Sequence, residues 1–250
     1  MAEIKIVPSR PAMIMEGEKR HLIVTDLHIG FESSLGSNEI FIGKNTSINE
    51  TISEIKDIIN ETAPDDLILL GDLKSSVKSI SKNEWDEIPR FLQEINKKVE
   101  TILIPGNHDA NIQRMVPSKT VMASSNGMVL ENVLLTHGHT MPSENFAHVD
   151  KIIMGHLHPV FFQEESVING QKVWVSIKAD KHLIFPSQNG KIEITIIPSF
   201  NRYLYATRRH YHKKSISPII QRLKKISAAR IITLDGSIIG DESIIKDVID

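Results

Sequence analysis

Short apolar runs alternate with segments of helical spacing through the first half of the chain, the pattern of strands joined by crossover helices. Residues 21–25 (HLIVT), 67–70 (LILL) and 101–104 (TILI) read as strands. Between the first two, Ile48, Ile52, Ile55, Ile58 and Ile59 recur at helical spacing and predict a helix over 46–61. Trp85, Ile88, Phe91, Leu92 and Ile95 predict a second over 84–98, with Trp85 on its apolar face and Pro89 marking its first turn. In the second half, Asn126-Gly127, Asn169-Gly170 and Asn189-Gly190 each separate two β-rich runs, as hairpin turns require. The expected antiparallel pairs include 160–168 with 171–177 and 182–185 with 191–197. Ser217 and Pro218 open a short basic helix before a terminal strand near 230–234. With no internal repeat or Gly/Ser linker, residues 1–250 are expected to form a single domain of mixed sheets covered by helices.

Composition narrows the chemistry more than the fold. A chain with 40% hydrophobic and 24% charged residues is that of an ordinary globule, not a disordered or low-complexity one. The absence of cysteine excludes disulfides, thiolate catalysis and Cys-ligated metal, so any metal must be held by imidazole, carboxylate or amide, and 11 histidines are available. No apolar run approaches a bilayer span, and the first residues carry Pro and charge where a signal peptide is apolar; a cytoplasmic protein without membrane contact is expected. The net charge of −2 conceals a basic stretch over 202–230, which holds nine Lys and Arg, no acid, and all three tyrosines.

The most informative residues are those immediately after each apolar run. HLIVT leads to Asp26-Leu27-His28, LILL to Gly71-Asp72, TILIP to Gly106-Asn107-His108-Asp109, VLLT to His137-Gly138-His139, and KIIM to Gly155-His156-Leu157-His158. In an open α/β sheet the carboxyl ends of the strands share one edge, so these five fragments would converge there. Asp26 and His28, like His156 and His158, are two apart, and in extended backbone each pair would project from one face. Gathered carboxylates and histidines would suffer desolvation and mutual repulsion without a cation. A single Asp-x-His or Gly-Asp is usually a turn or cap, and two histidines at i, i+2 can be a strand's outer face; all five, each after a strand, are not explained so simply.

This ordered set resembles that of the calcineurin-like metallophosphoesterase superfamily over residues 22–158, and the run Pro198-Ser199-Phe200-Asn201 is similar to that of its archaeal SbcD/Mre11-related and bacterial DNA ligase-associated members. The resemblance implies an α/β fold, a four-layer α-β-β-α sandwich of two mixed sheets, with two divalent metal ions at the strand ends. One ion would be held by Asp26, His28, Asp72 and His158, the other by Asp72, Asn107, His137 and His156, with Asp72 shared. Manganese is the first expectation; iron, zinc, nickel or cobalt would suit the same ligands. The implied reaction is phosphoester hydrolysis by a metal-bridging hydroxide, with His108 as general acid, His139 touching the substrate phosphate and Asp109 shaping the turn. One departure stands out: many relatives have an acid three residues after the bridging aspartate to orient the catalytic histidine, whereas here Ser75 follows Lys74.

The expected substrate is a phosphodiester in nucleic acid or a nucleotide, since basic groups beside aromatic rings over 202–230 suit phosphates and bases. The alternatives are a phosphomonoesterase acting on a nucleotide or phosphoprotein, and a non-catalytic metal-binding scaffold, against which the complete ligand set argues. Outside the motifs, His21 reads as structural, His148 as a loop residue near the site, His182 as strand surface and Trp174 as core.

Overall fold

The computed structural model describes residues 2–32, 46–204, 217–223, 226–245 and 248. Two sheets are built from the apolar runs. The first has six strands in the order β1 (Glu3–Ile6), β2 (Met13–Glu16), β3 (Arg20–Val24), β4 (Asp66–Leu70), β5 (Glu100–Ile104) and β6 (Thr120–Met122). β1 to β3 pair antiparallel and β3 to β6 parallel. The parallel part needs crossovers, supplied by α1 (Thr46–Thr62) and α2 (Lys82–Ile95). Their apolar stripes, Ile48, Ile52, Ile55 and Ile58 on one and Ile88, Phe91, Leu92 and Ile95 on the other, pack on Leu22, Val24, Leu67, Leu69 and Leu103.

The second sheet contains β7 (Met128–Leu130), β8 (Val133–Leu135), β9 (Lys151–Met154), β10 (Val173–Asp180), β11 (Lys191–Ile196), β12 (Ile226–Thr233) and β13 (Ile238–Gly240), ordered β13-β12-β10-β11-β9-β8-β7. Its parallel part is β8, β9 and β11. The sheets face each other across Met13, Met15, Ile23, Ile68, Leu70 and Ile104 on one side and Val133, Leu135, Ile153, Trp174 and Ile197 on the other. The outer face of the second sheet is covered by α3 (Pro218–Arg222) and short 3-10 turns at 144–146, 181–183 and 242–244, with Phe161, Phe185, Ile219 and Leu223 filling the space. The architecture is an α/β sandwich of two mixed sheets, as the resemblance implies, with a thin helical cover on one side.

Several local expectations change. α2 begins seven residues before Pro89, because Ser81 and Glu84 form a capping box that outweighs the bond lost at a proline inside the helix. Trp85 is 50% exposed, since Glu84, Ile88, Phe91, Leu92 and Ile95 already fill the buried stripe. Asn126-Gly127 makes no hairpin; it carries the chain from β6 in one sheet to β7 in the other. The Asn169-Gly170 turn closes only an isolated bridge, Val160 with Lys172, so residues 162–168 are not a strand. Asn189-Gly190 does precede an antiparallel strand, but the partner is β10, and residues 181–183 make a 3-10 turn that exposes His182. His148 is exposed on a loop, and Trp174 is core.

Candidate metal centre

The parallel strands of both sheets end at one edge, and the five fragments follow β3, β4, β5, β8 and β9. The loops after β3 and β4 continue to bond to each other past the strand ends. Asp26 N–H donates to the Gly71 carbonyl at 3.1 Å, His28 N–H to Asp72 at 2.9 Å and Ile29 N–H to Leu73 at 2.8 Å. This extension is not extended backbone. Asp26, His28, Asp72, His156 and His158 all have positive φ, between 43° and 72°, so the i, i+2 pairs are positioned by left-handed turns instead of a shared strand face. Asp and His tolerate this conformation better than branched residues, but five such positions on the order of 1 kcal/mol each are a concentration of strain of the kind found at functional sites. Two glycines make the approach possible. A Cβ at Gly71 (φ +87°) would lie 2.3 Å from His137 Nδ1, and one at Gly106 would lie 2.2 Å from Asp72 Oδ1.

In three of these side chains one polar atom is anchored and the other is left toward the cluster. Asp26 Oδ2 lies 2.9 Å from the Thr25 hydroxyl and accepts the His156 N–H at 3.0 Å, while Oδ1 has no hydrogen bond although His158 Nε2 is 3.1 Å away. Asp72 Oδ1 accepts the His108 N–H at 2.8 Å, and Oδ2 lies 3.3, 3.7 and 3.8 Å from Nε2 of His137, His28 and His108. His137 Nδ1 donates to the Leu70 carbonyl at 2.9 Å, leaving Nε2 buried without a partner. Asn107 Oδ1 and His139 Nδ1 are also buried and unpartnered. His28 Nε2 and His158 Nε2 lie 3.2 Å apart. Anchoring one atom to orient the other is the usual support of a metal ligand.

Donor atoms within 4.8 Å of one another form the groups Asp26–His28–His158, His28–Asp72–His108 and Asp72–His137–His156. The first and third correspond to the two ligand sets that the resemblance implies, apart from Asn107 and the sharing of Asp72. The electrostatics suit a cation. Burial opposes the charge on Asp26 and Asp72, but the imidazoles of His158 and His137 outweigh it and hold both carboxyls well below their usual range. Burial, reinforced by His158, pushes His28 down to about 3; burial and His137 push His156 down to about 4 and also lower His139. His137 is the exception: burial opposes its charge, but Asp72 raises it to about 9. Two ionised carboxylates, imidazoles of which those of His28 and His156 are held neutral and that of His137 is not, and buried polar atoms without partners form a donor set that fits divalent metal.

The remaining motif residues take supporting places. Asp109 is buried and accepts from Gly106 N–H at 2.8 Å and Lys74 N–H at 3.2 Å; burial and then Asp72 raise it to about 6. His108 Nδ1 donates to the backbone carbonyl of Ser75. The ring of His139 lies 5.4 Å from that of His137 and 6.2 Å from that of His156, centroid to centroid.

Two features escape sequence reasoning. Phe200 N–H donates to the Thr25 carbonyl at 2.8 Å, Asn201 N–H to the Asp26 carbonyl at 3.2 Å, and Asn201 Nδ2 to the Leu27 carbonyl at 2.8 Å. Lys172 Nζ donates to the carbonyls of Ser199 and Asn201 at 2.7 and 2.9 Å, while burial lowers it to about 7. Residues 199–201 thus clasp the loop that carries Asp26 and His28. Second, the Ser217 hydroxyl donates to the Gly138 carbonyl at 2.8 Å, tying the start of α3 between His137 and His139. The run 198–201 was the signal for the clasp; nothing marked Lys172, and Ser217 was marked only as the opening of a helix, not as a contact of the site.

The chain belongs to the calcineurin-like phosphoesterase family, whose model matches residues 19–185. Among solved structures, the Pseudomonas putida nuclease MPE is similar at 18% identity and a TM-score of 0.54, covering 93% of this chain and 98% of its own. The Escherichia coli phosphoesterase YfcE aligns at 17% identity and a TM-score of 0.41, covering 90% and 98%. No curated protein matches the chain. Family membership carries hydrolase chemistry and divalent metal as family properties. Among the described residues, no helix is long and apolar enough to cross a membrane.

Proposed function

We propose that this protein is a two-metal phosphodiesterase acting on nucleic acid or nucleotides in the cytoplasm. The observation that carries the reading is Asp72, whose Oδ2 lies within 4 Å of Nε2 on His137, His28 and His108 and whose carboxylate belongs to two of the three donor groups. Asp26, His28, Asp72 and His158 would hold one ion, and Asp72, Asn107, His137 and His156 the other, with manganese the first choice. When bound, such ions supply an activated water and neutralise charge on phosphoryl oxygens. The protein's own part is to orient the ester and deliver a proton. As the bond from water oxygen to phosphorus forms and the bond to the leaving oxygen breaks, that oxygen takes the electron pair and a proton from His108 Nε2. Nδ1 of His108 is committed to the Ser75 carbonyl, so proton exchange belongs to Nε2. The buried, unpartnered Nδ1 of His139 supports reading it as the group that would meet a phosphate oxygen.

The diester preference is supported by the basic stretch over 202–230. Arg202 is occupied, donating to Glu54 at 2.5 Å, while Arg222 and Arg230 are exposed. Tyr205, Arg208, Arg209, His210, Tyr211, His212, Lys213, Lys214, Lys224 and Lys225 lie outside the described residues. The described residues on either side of 205–216 are bonded to site loops, Asn201 to the Asp26 loop and Ser217 to Gly138.

Metal-stripped protein, assayed with and without manganese on bis(p-nitrophenyl) phosphate and p-nitrophenyl phosphate, tests this. Manganese-dependent cleavage favouring the diester is expected. Monoester preference would replace it with a phosphatase reading, and inactivity with every divalent metal would leave a scaffold.

A further inference from the structure

The acid that would orient His108 is absent at position 75, yet a carboxylate is close in the bonding network. Glu84, only 1% exposed, lies at the third position of α2 and faces the loop after β4. Its Oε1 accepts the N–H groups of Ser75 at 3.0 Å and Ser76 at 2.7 Å. Its Oε2 accepts the Ser81 N–H at 2.6 Å and the Ser76 hydroxyl. Burial works against its charge, but the donors of Ser76 and Ser81 outweigh burial and lower it. Lys74, itself fully buried, donates from Nζ to the Ser76 carbonyl, and the Ser75 N–H also reaches the Ile29 carbonyl at 3.1 Å. The loop is therefore gripped at consecutive peptides, and the carbonyl left facing the site is that of Ser75, which accepts from His108 Nδ1.

We propose that Glu84 is the positioning residue for His108, acting through the Ser75–Ser76 backbone in place of a directly bonded acid. This rests on the reading of His108 as the general acid. A carbonyl fixes an imidazole only if its own peptide is fixed, and a buried carboxylate accepting two successive N–H groups does that through charge-assisted bonds. The arrangement gives one side chain two tasks, since the same carboxylate closes the capping box of α2. Helix start, loop and catalytic ring are thereby one bonded unit. It also accounts for Ser75, whose backbone contributes what a side-chain acid would otherwise provide.

Four variants and two substrates test the proposal. A dinucleoside monophosphate has a poor leaving group that needs the proton, whereas bis(p-nitrophenyl) phosphate needs it little. In Glu84→Gln, kcat on the dinucleotide is expected to fall about 10- to 100-fold with KM unchanged, while the nitrophenyl diester changes by less than about threefold. In a His108→Asn background the Glu84→Gln effect should vanish, because both changes remove the same function. The 15N spectrum of the His108 ring, identified by its loss in His108→Asn, should show protonated Nδ1 in the parent and lose that tautomer in Glu84→Gln. Ile88→Val, which loosens the buried stripe of α2 away from the Glu84 carboxylate, should lower stability and leave the substrate ratio unchanged. If Glu84→Gln does not fold, Ser76→Ala, which removes one donor to Glu84, should shift the ratio in the same direction by less. Equal losses on both substrates, additivity with His108→Asn, or an unchanged ring spectrum would each overturn the proposal. If His108→Asn itself leaves the substrate ratio unchanged, the general-acid reading fails, and the ring spectrum still decides whether Glu84 sets the tautomer.

Discussion

Strands β3 and β4 carry a buried histidine and aspartate at both ends, and the two ends behave differently. Where the strands begin, His21 Nδ1 bonds Asp66 Oδ1 at 2.7 Å, neither residue has positive φ, and neither leaves a buried polar atom without a partner. Where they finish, Asp26, His28 and Asp72 are all in left-handed backbone, and buried polar atoms without partners remain on Asp26, Asn107 and His137. The same residue types form a closed pair in one place and an incomplete site in the other. Buried polar groups are normally satisfied, so the incompleteness at the strand ends calls for something the chain does not contain.

The largest effect should come from attacking the incomplete end. Asp72→Asn is expected to abolish hydrolysis of bis(p-nitrophenyl) phosphate, whereas His21→Leu should leave turnover of the folded protein unchanged; retained turnover in the Asp72 variant would break the two-metal reading. Next, His108→Asn should lower kcat on the dinucleotide by about 10²- to 10⁴-fold, the range typical of a lost general acid, with a much smaller effect on the nitrophenyl ester. Third, saturating manganese should raise the melting temperature. At a free concentration 100 times Kd the gain is about 2.7 kcal/mol; calorimetry should find it in the parent and in His21→Leu but not in Asp72→Asn. Fourth, His21→Leu should itself cost about 1–3 kcal/mol in denaturant titrations, because it leaves the buried Asp66 carboxylate without its donor.

The smallest effect sharpens the comparison by a third case. Glu32 and Glu87 also leave buried carboxylate oxygens without partners, far simpler in make-up than the strand-end cluster. Burial, and then Glu32, raise Glu87 to about 7, so the folded protein holds this proton more tightly than the unfolded chain does. Stability attributable to Glu87 is therefore fully present below the unfolded value near 4.5 and declines as pH rises toward 7. Thermal melts across that range should show a downward slope that Glu87→Gln reduces. An orphaned carboxylate can thus be satisfied by a proton, whereas a cluster of two carboxylates, an amide and several imidazoles is better satisfied by metal.

Much of the site was legible because its residues come directly after their strands in sequence. Asp26, Asp72, Asn107, His137 and His156 could be placed in order once the apolar runs were recognised, and the parallel β3-β4-β5 and β8-β9 pairings bring them to one edge. The isoleucine stripe of α1 was equally plain. Less legible were features that depend on partners distant in sequence. Asn126-Gly127 has hairpin chemistry, but its flanking strands find better partners in different sheets. Trp85 has the periodicity of a core residue and is displaced by the buried Glu84, whose value lies in its bonds to Ser75 and Ser76. Lys172 shows nothing in its neighbourhood along the chain that foretells its grip on Ser199 and Asn201.

By itself, then, the sequence determined the kinds of ligand, their order and the strands that present them, because apolar periodicity and residue type are local properties. The tertiary structure decided which atom of each ligand is anchored and which is left for a cation, that left-handed turns and not extended backbone aim Asp26, His28, His156 and His158, and that a carbonyl held by Glu84 receives His108. Those outcomes depend on hydrogen bonds between segments up to 174 residues apart, such as Asn201 to Leu27, and such bonds have geometry only once the two sheets have packed.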